Sequence, residues 1–174
     1  VRLAMEGGRK YAVRVEYRQP GAGGTVQLGW IPPASAALGE AEALVKASDV
    51  AIVCVGLNSE LEGEEMRGVN IPGFVGGDRT SLDLPESQEQ LVKTAVATGK
   101  PVIVVLTSGS AISANYAAKS AAALLQAWYG GEEAGTAIAE TLAGVNNPAG
   151  RLPVTFYKSV EQLPPFTDYA MKGR

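Results

Sequence analysis

At 174 residues the chain is long enough for a domain with a genuine core, and 46% hydrophobic against 19% charged is a globular rather than a disordered composition. A net charge of −3 with no basic cluster argues against nucleic acid, and the longest apolar runs, 50–57 and 102–106, are far too short for a membrane span. There is no histidine and one cysteine, Cys54. Ser-His-Asp and Cys-His catalysis, His-ligated metals, cysteine-rich zinc sites and disulfides are thereby excluded. Acid/base chemistry falls to carboxylates, Tyr or Lys, and no metal or cofactor is expected.

Residues 10–17 alternate in the strand manner, 19–24 form a turn, and 25–31 resume an extended pattern, which predicts a β-hairpin. Two strands are marginal alone, so residues 1–33 are expected to be the end of a β-module. The chain starts at Val1 inside this pattern, and its N-terminus carries no targeting signal to read. Beyond Pro32-Pro33 helices and buried strands alternate through residues 34–174. Leu38, Ala41, Leu44 and Val45 predict a helix, and 49–57 a nearly continuous apolar strand in which Cys54 is expected to be buried as a small hydrophobe. A long Gly- and Glu-rich stretch covers 58–84. Helix follows over 86–98, with Ser87 and Gln90 as a capping box, then a strand over 101–106. A looser segment, 107–120, leads to a third strand at 122–128 and a helix at 132–143, with Ala134, Ile138 and Leu142 on one face. Strands apolar on both faces and separated by helices imply a mainly parallel sheet sandwiched between helices, and the fold class is α/β.

In such sheets the ligand crevice lies beyond the carboxyl ends of the strands, which selects the loops 58–84, 107–115 and 129–133. The first is about twice the length beyond which structureless loops are uncommon. It opens with Glu60-Leu61-Glu62-Gly63-Glu64-Glu65, four carboxylates in six residues. Crowded carboxylates favour retention of a proton, which suits a general acid; a solvated acidic loop is the plainer reading, and the spacing matches no calcium loop. Asp78 and Arg79 close the same stretch, and Arg79 is expected to hold Asp78 or a glutamate. They read equally as structural pins. Ser108 and Ser110 flank Gly109 after the second strand and suit either ligand hydrogen bonds or a turn. Trp128 and Tyr129 end the third strand, where aromatic faces stack on sugars or pack into the core. Gly76-Gly77 lacks the spacing of a phosphate loop.

Taken in order, several motifs resemble the α/β-sandwich domain of glycoside hydrolase family 3, the β-glucosidase and β-xylosidase family. They are Val53-Cys54-Val55-Gly56-Leu57-Asn58, Glu60-Leu61-Glu62-Gly63-Glu64, Gly77-Asp78-Arg79-Thr80, Lys100-Pro101-Val102-Ile103, Ala127-Trp128-Tyr129-Gly130-Gly131 and Asn147-Pro148-Ala149-Gly150-Arg151-Leu152-Pro153. The line Leu28-Gly29-Trp30-Ile31-Pro32-Pro33 is similar to the end of a protective-antigen-like module that some members insert into this domain.

The resemblance implies a retaining, exo-acting β-glycosidase acting on an oligosaccharide or β-glycoside. The nucleophilic Asp lies on a separate barrel domain, and a Glu of the sandwich acts as acid/base. Counting from Gly56 gives Glu64 for that role, with Glu62 second; Asp78, Arg79, Ser110 and Trp128 are expected to contact substrate. It also implies that the barrel, a fibronectin-like domain and the first part of the sandwich lie outside this chain, and that the enzyme is periplasmic or secreted. Two other readings remain: a carbohydrate-binding module resting on Trp30, Trp128 and Tyr129, and a flavodoxin-like cofactor domain, since fold does not fix function.

Overall fold

The computed structural model describes the chain except for residues 1–3, 25, 27, 30, 31, 67–69, 166, 171, 173 and 174. It divides into two compact units, Val1–Pro32 and Pro33–Arg174. In the first unit the described residues carry neither helix nor strand. Local contacts organise it instead: the Tyr11 hydroxyl accepts the Glu6 N–H at 2.9 Å, and the Tyr17 hydroxyl donates to Gln19 at 3.2 Å. The alternation over 10–17 therefore does not become a paired strand. A period of two specifies a strand only where a neighbour takes up its backbone groups. Trp30, and with it part of the second expected strand, lies outside the described residues.

The second unit is α/β. Helix α1, Ala34–Lys46, places Leu38, Ala41 and Val45 inward and leaves Leu44 exposed. Strand β1, Ala51–Gly56, leads into an antiparallel meander of two-residue strands, β2 Asn70–Ile71, β3 Phe74–Val75 and β4 Asp78–Arg79. Helix α2, Glu86–Ala97, strand β5, Val102–Thr107, helix α3, Asn115–Ser120, strand β6, Ala123–Gln126, and helix α4, Ala134–Leu142, follow. A 3₁₀ turn at Val160–Gln162 comes last.

The main sheet is parallel in the order β1-β5-β6, with Gly56 opposite Thr107 and Leu106 opposite Gln126. Val102, Val104, Val105 and Leu106 of the central strand are all buried. Helix α2 packs on α1, α3, β1 and β5, and the core gathers Val45, Val53, Val55, Val92, Val104, Leu106 and Ala117 between these layers.

Three expectations need correction. Cys54 is exposed, as is Ile52, because the outward face of edge strand β1 has no layer over it among the described residues. The capping box does not form: Pro85 occupies the N-cap position of α2, so Ser87 lies inside the first turn with no capping bond. The stretch 58–84, expected as one long loop, contains the meander. Phe74 of the meander is 4% exposed and anchors it in the core, and Gly76 and Gly77, at φ 62° and 95°, make the tight β3–β4 turn that demands left-handed backbone at both positions.

Candidate active site

The carboxyl ends of β1 and β5 and the segment after β6 enclose a cleft of about 470 Å³ lined by Leu57, Asn58, Ser59, Glu62, Thr107, Trp128, Tyr129 and Gly130. It lies where a parallel sheet places its crevice. Asn58 organises the acidic segment. Its Oδ1 accepts the N–H groups of Glu60 and Leu61 at 2.9 and 3.1 Å, and its carbonyl accepts those of Leu61 and Glu62 at 3.0 Å each. An Asn side chain that captures the donors just after it starts a single helical turn. That turn carries Glu62 back toward the sheet.

Tyr129 meets it there, its hydroxyl donating to Glu62 Oε1 at 2.6 Å. Burial, reinforced by the hydrogen bond to Glu62 and by that carboxylate's charge, pushes the Tyr129 phenol up to about 12. The phenol is thus held as a proton donor. Glu64 is exposed, makes no hydrogen bond or ion pair among the described residues, and does not line the cleft. Its neighbour Glu65 has φ 47°, and Trp128 has φ 59°. These are the two non-glycine residues with left-handed backbone among those described, one in each loop that meets at the Glu62–Tyr129 contact. Such strained residues concentrate at functional sites.

Arg79 meets Ser110 rather than Asp78 or a glutamate, the partners expected for it. Arg79 Nη1 donates to Ser110 Oγ at 2.9 Å and to the Ala111 carbonyl at 2.6 Å, and Nε donates to the Ser81 carbonyl at 3.2 Å. Nη2 is buried without a hydrogen-bond partner. Burial lowers the guanidinium pKa from its ordinary value, opposed by the charges of Glu62, Tyr129 and Asp83. Asp78 is exposed, and as the strand neighbour of Arg79 it projects to the opposite face of β4. Arg79 is therefore a staple between the 58–84 and 107–115 loops. Arg79→Lys keeps a charge but loses the fork that reaches three oxygens. It is expected to cost about 1–3 kcal/mol of stability, measured by urea unfolding.

Trp128 is half-buried, and its ring meets Phe156 edge-on at 5.7 Å and 86°, while it also lines the cleft. Three participants carried no usable local signal: Asn58, whose role depends on the turn it starts; Gly109, against whose backbone Tyr129 packs; and Gln88. The Gln88 side chain accepts the Gly56 N–H at 2.6 Å and donates to the Gly56 carbonyl at 2.8 Å, tying α2 to the strand end. Among the described residues no cluster of His, Cys, Asp and Glu is arranged to hold a metal ion, and no helix is long and apolar enough to cross a membrane.

Comparison with known proteins gives this geometry a family. A xylan 1,4-beta-xylosidase of Xylanibacter ruminicola is 44% identical over 99% of the chain, which covers 20% of that enzyme. A periplasmic beta-glucosidase of Salmonella typhimurium is 34% identical over 80% of the chain and is covered over 17% of its length. The crystal structure of beta-glucosidase from Listeria innocua in complex with gluconolactone superposes with a TM-score of 0.64 at 30% identity, over 79% of this chain and 18% of that one. The chain thus spans about a fifth of the length of these relatives. Residues 4–174 match the family described as Glycosyl hydrolase family 3 C-terminal domain, and the chain belongs to it.

Proposed function

We propose that this chain supplies the acid/base carboxylate of a retaining, exo-acting β-glycosidase of the β-glucosidase or β-xylosidase type, and that Glu64 is that carboxylate. The observation that carries the reading is the acidic segment at the carboxyl end of β1, beside a cleft with Trp128 and Tyr129. Within it the two candidate glutamates differ. Glu62 is engaged by Tyr129 on the chain's own surface, whereas Glu64 is exposed and able to meet a glycosidic oxygen arriving from outside. The names of the relatives, and the sugar lactone bound by one of them, support the substrate class.

In the proposed reaction a nucleophilic Asp on a barrel domain outside this chain attacks the anomeric carbon. The glycosidic C–O bond breaks, and the Glu64 carboxyl gives its proton to the leaving oxygen. The Glu64 carboxylate then takes a proton from water, whose oxygen displaces the Asp and releases the sugar. Asn58 and Tyr129 hold the segment from which Glu64 projects. Arg79 and Ser110 support the rim of the cleft, and Trp128 offers a ring face beside it. In the same reading residues 1–33 are the end of an inserted carbohydrate-binding-like module, supported by their separation as a unit of their own. The periplasm or the exterior is the proposed compartment, following the periplasmic relative.

The test is hydrolysis of p-nitrophenyl β-glucoside and β-xyloside by the chain alone and with a separately produced barrel domain. Turnover only in the mixture is expected. A folded chain that binds cellobiose or xylobiose in calorimetry yet never supports turnover would point to a binding module instead.

A further inference from the structure

We propose that Tyr129 is a positioning residue for the reaction, fixing through Glu62 the direction in which the acidic segment presents Glu64. The inference rests on the assignment of Glu64 above. The contact joins residues 67 positions apart by a 2.6 Å hydrogen bond between otherwise separate loops. Each side of it is built to hold still. On the Tyr129 side, the left-handed backbone at Trp128 turns the chain as it leaves β6, and the edge-on packing of Trp128 against Phe156 fixes that turn. The phenol ring lies against the Gly109 backbone so closely that a Cβ there would sit 3.1 Å from ring carbon Cε2.

On the Glu62 side, Asn58 fixes the turn before Glu62. The Gly63 N–H donates to Met66 Sδ at 3.1 Å, and the Gly63 carbonyl abuts Gly77 so tightly that a Cβ at Gly77 would lie 1.6 Å from it. Glu62 and Gly63 are therefore held by the sheet end on one side and the meander on the other. Glu64 is the first exposed residue beyond that grip. A proton donor misplaced by about 1 Å loses up to about a hundredfold in rate, so a hydrogen bond that sets its direction acts on turnover rather than on substrate affinity.

Two measurements test this. In the chain itself, tyrosine ionisation followed by absorbance or by ¹³Cζ labelling should show a late-titrating phenol. Tyr129→Phe should remove it, and Glu62→Gln should bring it back toward the ordinary value of 10.0. A phenol whose folded value lies above its unfolded one stabilises the fold fully below about pH 10 and loses that contribution as pH rises toward 12. In the barrel-bearing enzyme, Tyr129→Phe should lower kcat on cellobiose or xylobiose about ten- to a hundredfold with KM nearly unchanged, and activated aryl glycosides should suffer less. Glu62→Ala, which removes the acceptor of the Tyr129 hydroxyl, and the double variant should show strong non-additivity with it.

Gly109→Ala, which displaces the ring but keeps the hydroxyl, should give an intermediate loss at unchanged melting temperature. If Glu64→Gln disables the enzyme while Tyr129→Phe turns over like the wild type, the positioning role is overturned and the acid/base assignment stands. If Glu64→Gln is fully active, the assignment itself fails.

Discussion

Glu64→Gln is expected to lower hydrolysis of cellobiose or xylobiose by the barrel-bearing enzyme about 10²- to 10⁴-fold, the range lost when a general acid is removed. The amide is nearly isosteric but has no acidic proton to give, so a poor leaving oxygen must depart as an alkoxide. Aryl glycosides with activated phenols leave without that proton, and their first step should suffer far less. The second step then becomes limiting, because nothing deprotonates water, and added azide should intercept the glycosyl-enzyme as a β-glycosyl azide. Folding should be untouched, since Glu64 is exposed and substitutions at such positions usually change stability by within about 0.5 kcal/mol. Glu62→Gln provides the contrast. Its amide oxygen still accepts the Tyr129 hydroxyl, so a smaller loss without azide rescue is expected. Azide rescue at Glu62 and none at Glu64 would exchange the two roles.

Central strand β5 was legible because burial wrote a continuous apolar run into it, and α1, α2 and α4 because apolar residues recur at helical spacing, whereas the short α3 lay in a segment read as looser. Ala134, Ile138 and Leu142 are partly buried along one side of α4, as their spacing predicts. Features that depend on a distant partner left no such trace. The alternation at 10–17 reads as strand whether or not a neighbour exists to pair with it. Cys54 sits in an apolar run, but its exposure is decided by what lies over the sheet, which its own sequence cannot specify. Strands of two residues have no period to detect, so the meander inside 58–84 was visible only as Gly, Pro and an unusual length. The site followed the same division. Its carboxylates announced themselves by crowding, while the Tyr129 contact that separates Glu62 from Glu64 joins segments with nothing local in common. Arg79 was legible as a cation that must be held, but not that its partners would be the oxygens of Ser81, Ser110 and Ala111 rather than Asp78.

Gly56→Ala should be strongly destabilising, costing about 3 kcal/mol or more. Gly56 is the last residue of β1, opposite Thr107 in the ladder, with φ 141°, a backbone that side-chain-bearing residues rarely adopt. A Cβ built there would lie 1.9 Å from the Thr107 carbonyl oxygen and 2.7 Å from its nitrogen. Both obstacles are backbone, so no rotamer relieves them, and β1 must part from β5. That separation would also disturb the Leu57 N–H bond to the Thr107 carbonyl, at 2.7 Å, and the paired bonds between Gly56 and Gln88. For a chain of this length the loss corresponds to a fall in melting temperature of roughly 6–12 °C. Gln88→Leu separates the two causes. It leaves the ladder intact while unpairing two Gly56 backbone groups, and about 1–3 kcal/mol is expected. Because Leu57 and Thr107 line the cleft, Gly56→Ala should also impair turnover at temperatures where the protein is still folded, whereas Arg79→Lys, acting on the rim, should act mainly through stability. A Gly56→Ala protein that melts with the wild type would mean that the strand ends sit further apart than the structure has them, and the cleft wall with them.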